Sequence, residues 1–380
     1  MKIVLAPDSF KGSLTAAQVC AALESGVRLA APDAEIICVP MADGGEGTVQ
    51  SLIDGLGGKL VTCQAEDPLG RLNTAVYGLT DNGMAVIEMA QASGLTLLTE
   101  QERDPLITST YGTGQLIKDA LDRGARKFII GIGGSATNDG GAGMAEALGY
   151  RFLSSSGDEL PRGGGALADL WRIDASYADA RLNESVITVA CDVDNPLTGP
   201  GGASLVFGPQ KGATPDMALA LDRALIRLAE HIAGDLGIDV ADIPGAGAAG
   251  GLGAGCVAFL GAELKKGVDI VIDATGLKDK INGADLVITG EGRTDSQTLG
   301  GKTIFGVAGL AENLGVPVIV ISGSLTEGAD ELLGRGVSRL YAIMEDGITL
   351  DEAMRDGAEL LAGKSAQALR DFTSRRERRK

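Results

Sequence analysis

Short apolar runs alternate with helical patterns at the start of the chain. Residues 2–6 and 35–40 are apolar runs that predict buried strands. Between them, Val19, Leu23 and Val27 recur every four residues, which predicts a helix with one buried face. A second helical segment follows the second strand. This β-α-β-α beginning predicts parallel strands in an α/β fold.

The same rhythm returns near residue 284. Apolar runs at 285–289, 316–321 and 339–343 predict three further strands. Helical segments separate them, and a long helix is predicted over 351–371. The two ends of the chain therefore contain the strands and helices of one doubly wound domain.

We predict two α/β domains from this inventory. Residues 1–64 and 281–380 form a discontinuous flavodoxin-like (Rossmann-like) domain with a parallel sheet, and residues 65–280 form a large inserted α/β domain. An insertion after the second helix requires the strand order 2-1-3-4-5, because the first and third strands are then neighbours. Ligands of such sheets bind beyond the carboxyl ends of the strands, so we expect the active site in the cleft between the domains.

The inserted part follows a different pattern. Residues 67–79 and 84–89 predict an antiparallel pair of strands. The other elements predicted there are helices over 113–122, 141–148 and 215–236 and strands over 127–132 and 186–191.

Three glycine-rich stretches are candidates for ligand-binding loops. GIGGSATNDGGAGM (131–144) follows a predicted strand, and its glycines suit either a tight turn against a packed helix or a loop whose amides approach a phosphate. Its GIGGSA fits a dinucleotide fingerprint, but Asp158 does not end a strand, which disfavours NAD binding. SQTLGGKT (296–303) lacks the first glycine of a P-loop. PGAGAAGGLGAG (244–255) is interpreted as close helix packing.

Composition narrows the function classes. The formal net charge of −18 disfavours nucleic acid and anionic membranes as partners. The basic run 375–380 is interpreted as a solvated, frayed terminus. Aromatic residues make up only 3% of the chain, so the core must be aliphatic.

Histidine and cysteine usage restricts the chemistry further. His231 is the only histidine, which disfavours a Ser-His-Asp triad and a histidine-based zinc site, so we expect carboxylates or lysine to carry acid–base chemistry. The five cysteines have no CxxC spacing, which indicates a reducing compartment. The first apolar run is too short for a signal peptide, and we expect a cytoplasmic protein.

Charged side chains follow the predicted strands of the first domain. Lysine and arginine suit an anionic substrate, and carboxylates suit a metal-bound polyphosphate. Surface ion pairs around loops remain the alternative. These candidates are Asp8, Ser9, Lys11, Asp43, Glu291, Arg293, Asp295 and Lys302.

The inserted domain offers a second set of candidates. Asn138 and Asp139 belong to the glycine-rich loop, and Asp192 and Asn195 follow a predicted strand. Such residues could position a hydroxyl group and accept its proton. Asparagine and aspartate are also good turn formers, and this alternative stays open.

Taken in order, the motifs resemble those of the bacterial glycerate kinase family. The matching stretches run from residue 1 to about 325 and are MKIVLAPDSFKGSL, MADGGEGT, IIGIGGSATNDGGAGM, VACDVDNPLTG, FGPQKGA, IPGAGAAGGLG, VITGEGRTDSQT, GKTIFGVA and ISGSL. The resemblance implies ATP-dependent phosphorylation of D-glycerate with Mg²⁺ on a two-domain α/β fold. It also implies 2-phospho-D-glycerate as the usual product.

Phosphoryl transfer requires a protein that positions the reactants, stabilises the charge of the transition state and supplies a base. We hypothesise that Asp192 is the base, that Lys11 and Arg293 bind the substrate carboxylate or the transferred phosphoryl group, and that Asp8 and Asp295 surround the metal. Substrate contacts are expected from Asp8, Ser9, Asp43, Asn138, Asp139, Asn195 and Glu291. ATP contacts are expected from Gly133, Gly134, Ser135, Thr137, Lys211 and Lys302.

Three other functions stay open at this point. One is a different Mg²⁺-dependent phosphoryl-transfer enzyme, such as a phosphatase or mutase. Another is a glycerate kinase that phosphorylates the 3-position, and the third is a non-catalytic sensor. We expect small-molecule partners, namely glycerate and ATP, and leave a homodimer open.

Overall fold

The computed structural model describes residues 1–45, 47–300, 302–345 and 347–378. They divide into two compact units. The first unit contains Met1–Asp43, Gln50–Gly57 and the chain from Gly267 onward. The second contains Gly44–Val49 and Gly58–Lys266. The last two residues of the predicted basic tail, and the side chains of 375–378, lie outside the described part.

The strands are mostly short. In chain order they are β1 (Lys2–Leu5), β2 (Glu35–Cys38), β3 (Gly58–Glu66), β4 (Leu72–Thr80), β5 (Met84–Glu88), β6 (Lys127–Gly131), β7 (Arg151–Leu153), β8 (Arg172–Asp174), β9 (Val186–Ala190), β10 (Glu263–Lys265), β11 (Leu286–Thr289), β12 (Arg293–Thr294), β13 (Val318–Ser322), β14 (Ser324–Leu325) and β15 (Val337–Ala342).

The α-helices lie between and after these strands. They are α1 (Ala16–Ala30), α2 (Thr48–Leu56), α3 (Ala90–Ser93), α4 (Tyr111–Asp122), α5 (Ala142–Ala147), α6 (Ala203–Phe207), α7 (Pro215–His231), α8 (Ala248–Leu260), α9 (Gly267–Thr275), α10 (Leu277–Ile281), α11 (Thr303–Asn313), α12 (Leu350–Arg355) and α13 (Gly357–Arg378). Within the described ranges, no helix is long and apolar enough to span a membrane.

The first unit is built on a five-stranded sheet in the order β15-β13-β11-β1-β2. Each neighbouring pair is parallel. The predicted α/β class and the predicted strand order 2-1-3-4-5 are therefore confirmed. Because the strands are parallel, the loops that follow β1, β2, β11 and β13 leave the same edge of the sheet.

Helix α1 covers one face of this sheet. Val19, Leu23 and Val27 are fully buried, as their four-residue spacing predicted. Thr15 caps the helix, since its side chain accepts a hydrogen bond from the backbone N–H of Gln18 and the Gln18 side chain accepts one from the backbone N–H of Thr15. The helix predicted over 351–371 is instead two helices, α12 and α13, separated at Asp356.

The second unit contains a six-stranded mixed sheet in the order β10-β9-β6-β5-β4-β3. The antiparallel pairing of β4 with β5 confirms the pair predicted from the sequence. Strand β3 was not predicted, although it pairs with β4 along its whole length. Only every second residue of β3 is apolar and buried, so its signal is weak. This pairing places residues from 58 onward in the second unit, and the domain limits at 64 and 281 stay a prediction.

The core of the second unit lies on both sides of helix α8. The glycine-rich start of that helix approaches the loop after β6, because a Cβ at Gly250 would lie 2.0 Å from the carbonyl oxygen of Thr137. A Cβ at Gly255 would lie 2.4 Å from the carbonyl oxygen of Gly140. The interpretation of residues 244–255 as close helix packing is therefore confirmed. Helix α7 ends at His231 and continues as a π-helical turn, Ile232–Leu236, within the single helix predicted there.

Candidate active site

A pocket of about 390 Å³ opens within the first unit. It lies where parallel strands of the sheet end, as the topology predicts. All the sequence-predicted site residues of this unit contribute to its lining. They are Asp8, Ser9, Lys11, Asp43, Glu291, Arg293, Asp295 and Lys302.

An apolar wall completes this pocket and was missed in the sequence. Ile343 and Met344 directly follow β15, and Leu350, Ala353 and Met354 belong to α12. The position of Ile343 after a fifth parallel strand was the available signal. Apolar residues in a strand-end loop do not indicate binding chemistry by themselves, so the sequence does not predict this wall.

Two short hydrogen bonds hold the carboxylate of Asp8 in the pocket. Its Oδ1 accepts a hydrogen bond from the backbone N–H of Ser9 at 2.6 Å, and its Oδ2 accepts one from Thr303 Oγ1 at 2.6 Å. Burial raises the pKa of Asp8 to about 6, although the Thr303 hydrogen bond opposes the change. The negative charges of Asp43 and Glu291 raise it further. Asp8 therefore lies in an environment that favours a nearby cation.

Glu291 is surrounded by hydroxyl groups. Its Oε1 accepts hydrogen bonds from Thr298 Oγ1 at 2.6 Å and from Thr294 Oγ1 at 3.2 Å. Thr294 in turn shares a hydrogen bond with Ser322 Oγ at 2.7 Å. Burial raises the pKa of Glu291, and the charge of Lys302 opposes that shift. The carboxylate is thus fixed in orientation on the wall of the pocket.

Arg293 and Asp295 form an ion pair at the pocket. Arg293 Nε lies 3.1 Å and its Nη2 3.0 Å from Asp295 Oδ2. Ion pairing around a loop is the alternative to ligand binding that stayed open for these residues from the sequence. The Arg293 side chain is 65% exposed, and a guanidinium has five N–H donors, so the pairing leaves donors for an anion.

The arrangement of the pocket carboxylates decides how they could bind Mg²⁺. In the part of the chain that the structure describes, no group of three or more Asp, Glu, His or Cys side chains is arranged to hold a metal ion. Mg²⁺ is usually bound by one or two carboxylates, waters and substrate phosphates. The mutual repulsion of Asp8, Asp43 and Glu291 fits that kind of phosphate-dependent site. It does not fit a cage made of protein ligands alone.

The loop after β6 is held from inside the second unit. Gly133 and Gly134 are exposed, whereas Ser135 and Thr137 are buried. Lys211 Nζ donates hydrogen bonds to Ser135 Oγ at 2.8 Å and to the carbonyl oxygen of Thr137 at 2.7 Å. Lys211 is only 1% exposed, and burial lowers its pKa to about 7. Its ammonium group therefore supports the backbone of the predicted phosphate loop.

Asp139 organises the second half of this loop. Its carboxylate accepts hydrogen bonds from the backbone N–H of Thr110 at 2.8 Å and from Thr110 Oγ1 at 2.9 Å. The N–H groups of Gly141 and Gly143 donate to it at 3.1 and 3.2 Å. Asp139 is 1% exposed, and burial raises its pKa against these hydrogen bonds. These contacts match the turn-forming alternative, and a role in substrate binding stays a prediction.

Asn138 lies beside this network and is fully buried. Its Nδ2 donates a hydrogen bond to Ser204 Oγ at 2.9 Å. Among the described residues, its Oδ1 and the Thr137 hydroxyl have no hydrogen-bond partner. Sequence reasoning did not find the contact with Ser204, which lies 66 positions away along the chain.

Asp192 and Asn195 follow β9, the strand that pairs with β6. The register places Ala190 opposite Gly131, so both loops leave the same edge of the second sheet. Asp192 is exposed. Asn195 Nδ2 donates a hydrogen bond to the carbonyl oxygen of Gly201 at 2.7 Å, as expected of a turn former.

Comparisons with known proteins agree on one family. The glycerate kinase family model matches residues 3–373. The glycerate kinase of Halalkalibacterium halodurans is 54% identical over 94% of this chain and 95% of its own length. The glycerate 2-kinase of Escherichia coli K12 is 51% identical over 93% of each chain. The crystal structure of a putative glycerate kinase 2 from Salmonella typhimurium LT2 is similar with a TM-score of 0.92 and 48% identity, over 99% of each chain.

Proposed function

The chain belongs to the glycerate kinase family, and from that premise we propose that it transfers the γ-phosphoryl group of ATP to D-glycerate. The resemblance of its motifs to that family is confirmed. We further propose that the 2-hydroxyl is the acceptor, which would give 2-phospho-D-glycerate. The name of the Escherichia coli relative, glycerate 2-kinase, supports this position.

The pocket of the first unit is the observation that supports this proposal best. Four separate motifs bring four carboxylates and three cations to its lining. Both reactants are anions, so cationic side chains are needed to bind them and to stabilise charge in the transition state. Lys11 and Lys302 supply compact charges, and Arg293 supplies a planar fork that matches a carboxylate or a phosphoryl group.

The carboxylates of the pocket have a different role in the proposal. Asp8 and Asp295 would hold Mg²⁺ together with phosphate oxygens, and the ion would neutralise charge on the transferred group when bound. Thr303 fixes the orientation of Asp8 through its 2.6 Å hydrogen bond. Glu291, held by Thr298, and Asp43 would contact the hydroxyl groups of the substrate.

The second unit would contribute the base and further phosphate contacts. We assign proton abstraction from the substrate hydroxyl to Asp192, a carboxylate of the motif that follows β9. The exposed backbone at Gly133 and Gly134 would bind ATP phosphates, and Lys211 would keep that backbone in place. Both assignments rest on the sequence motifs. A cytoplasmic location is part of the same proposal.

The decisive experiment incubates the protein with ATP, Mg²⁺ and D-glycerate, follows ADP, and resolves the products by phosphorus NMR. We expect ADP together with a 2-phosphoglycerate signal. A 3-phosphoglycerate signal would contradict the proposed position, and no ADP above background would contradict the kinase. Lys11→Met should lower kcat/KM at least about tenfold through the lost charge, whereas the matched variant Lys59→Met, on exposed β3, should not.

A further inference from the structure

Two cysteines of the first unit lie together on neighbouring elements. Cys20 belongs to α1, and Cys38 is the last residue of β2. Cys38 is paired in register with Leu5 of β1. The Cys20 thiol donates a weak hydrogen bond to the carbonyl oxygen of the same Leu5, at 3.8 Å. The two thiols therefore adjoin one residue of the central sheet.

A second contact connects the same two elements. The Cys38 thiol donates a hydrogen bond to Glu24 Oε2 at 3.6 Å. Glu24 lies one helical turn beyond Cys20 on the same face of α1. Both thiols therefore lie between α1 and the neighbouring strands β1 and β2. The pair is thus placed by contacts on both sides of the boundary between helix and sheet.

The two thiols differ in access and in acidity. Cys38 is half-buried, whereas Cys20 is only 3% exposed. The contact with Cys20 lowers the pKa of Cys38, although burial and Glu24 oppose this. The same contact and burial raise the pKa of Cys20. Because the thiolate is the reactive form, Cys38 is suited to attack an external disulfide and Cys20 to react second.

We propose that Cys20 and Cys38 form a reversible disulfide by exchange with a low-molecular-weight disulfide such as oxidised glutathione. The Cys38 thiolate first attacks one glutathione sulfur, the S–S bond of glutathione breaks, and one glutathione thiolate leaves and takes up a proton. Cys20 then loses its proton and attacks the Cys38 sulfur, which releases the second glutathione. The chain gives up two electrons and two protons, and oxidised glutathione is reduced to two thiols.

The position of this pair connects it to the pocket. The loop before α1 carries Asp8 and Lys11, and the loop after β2 carries Asp43. A disulfide between α1 and the end of β2 would restrain the two elements from which these loops extend. In reducing compartments such disulfides are usually transient and redox-sensing, which agrees with a partly exposed and a buried partner. The inference does not depend on the identity of the substrate.

The test uses the folded full-length chain. It is incubated with excess oxidised glutathione, quenched with an alkylating reagent and analysed by thiol counting and tryptic peptide mapping. Arg28 lies between the two cysteines, so trypsin separates them unless a disulfide joins their peptides. We expect the thiol count to fall from the five of the chain by two, with one joined Cys20–Cys38 peptide pair that dithiothreitol separates. An unchanged count, a glutathione adduct that persists on Cys38, or a disulfide between other cysteines would overturn the proposal.

Variants separate the two steps. Cys20→Ser should stop the reaction with one glutathione on Cys38, and Cys38→Ser should leave Cys20 unreacted. Cys191→Ser is the matched control, since this half-buried thiol lies in the other unit, and it should still form the pair. Glu24→Gln should speed the first step, because it removes a charge that raises the pKa of Cys38. Loss of the joined peptide in Cys191→Ser, or its persistence in Cys20→Ser, would contradict the assignment.

Discussion

Individual carboxylates in this protein have very different surroundings, although the sequence presents them alike. Asp8 accepts two hydrogen bonds of 2.6 Å and faces the charges of Asp43 and Glu291. Asp139 accepts its hydrogen bonds inside the second unit and is almost fully buried. Asp192 is exposed after β9. At the residue scale, these surroundings decide which carboxylates can act on a ligand.

The raised pKa of Asp8 predicts a pH-dependent stability effect. The folded-state pKa of Asp8, about 6, lies above the ordinary value of 3.8, so the unfolded chain releases this proton at a lower pH than the folded protein does. The folded state therefore loses stability as the pH rises from about 4 to above 6. Asp8→Asn removes this penalty. We expect the free energy of unfolding of the variant, relative to the wild type, to rise by about 3 kcal/mol between pH 4 and pH 8, because one pKa unit corresponds to about 1.4 kcal/mol.

Urea unfolding at both pH values measures this difference. Asp33→Asn is the matched control, because Asp33 is an exposed carboxylate of the same unit. It should give the same small difference from the wild type at both pH values. An Asp8→Asn difference that does not change with pH would show that the burial of this carboxylate has no such cost. We also expect Asp8→Asn to lose kinase activity, as carboxylates that surround a functional cation often trade stability for function.

The assignment of Asp192 as the base predicts a loss confined to turnover. Asp192→Asn keeps the size of the side chain but removes its ability to accept a proton. We expect kcat to fall by roughly 10²–10⁴ while ATP binding changes little. Asp194→Asn makes the same charge change two residues further along the same exposed loop and should retain most activity. Equal losses in both variants, or activity retained in Asp192→Asn, would reject this role.

At the scale of elements, the glycine-rich loop after β6 contains two kinds of glycine. Those near its end serve packing, since a Cβ at Gly143 would lie 2.0 Å from Ser109 Oγ. At its beginning, Gly133 faces open space and is exposed. The packing interpretation therefore applies to the end of the loop, and the phosphate-binding interpretation stays a prediction for its beginning. Only the exposed part is left for a ligand to approach.

This division predicts opposite results for two matched substitutions. Gly143→Ala should lower the free energy of unfolding by about 1–3 kcal/mol, because the added methyl group overpacks the start of α5. Gly133→Ala should leave stability nearly unchanged, but it should weaken ATP binding if the backbone there approaches a phosphate. Thermal unfolding and ATP titration of both variants measure this. Equal stability of the two variants would contradict the packing role of Gly143, and unchanged ATP affinity in Gly133→Ala would contradict the phosphate loop.

At the scale of the molecule, each unit has its own hydrophobic core. Among the described residues, two buried clusters of the second unit lie between Val61 and Ala262. The cluster of the first unit draws on both ends of the chain, from Ile3 to Leu369. The first unit thus depends on contacts between segments that are far apart in sequence, whereas the second is continuous apart from Gly44–Val49.

This organisation predicts that residues 58–266 fold alone. The fragment retains the six-stranded sheet and both of its buried clusters. It loses the hydrogen bonds that the backbone N–H groups of Gly47 and Val49 donate to Glu88 Oε1, a small cost at the surface of the unit. We expect cooperative thermal unfolding by circular dichroism. A fragment without a cooperative transition would show that the second unit needs the rest of the chain.

The sequence by itself determined the features that depend on local patterns. Apolar runs and four-residue spacing marked the strands of the first unit, and the inventory of elements was enough to predict their order. Because parallel strands end at one edge, the strand-end motifs also identified the charged side chains that line its pocket. The family followed from long motifs in a constant order, which was confirmed.

Only the tertiary structure decided which residues are buried and what they contact. β3 became a strand through pairing with β4, because its alternating pattern is too weak to act alone. Ile343 and Met344 became a pocket wall through the position of β15 at the edge of the sheet. The burial of Lys211 depends on contacts with a loop more than 70 positions away. Burial is set by neighbours that are distant along the chain, and a one-dimensional pattern does not contain them.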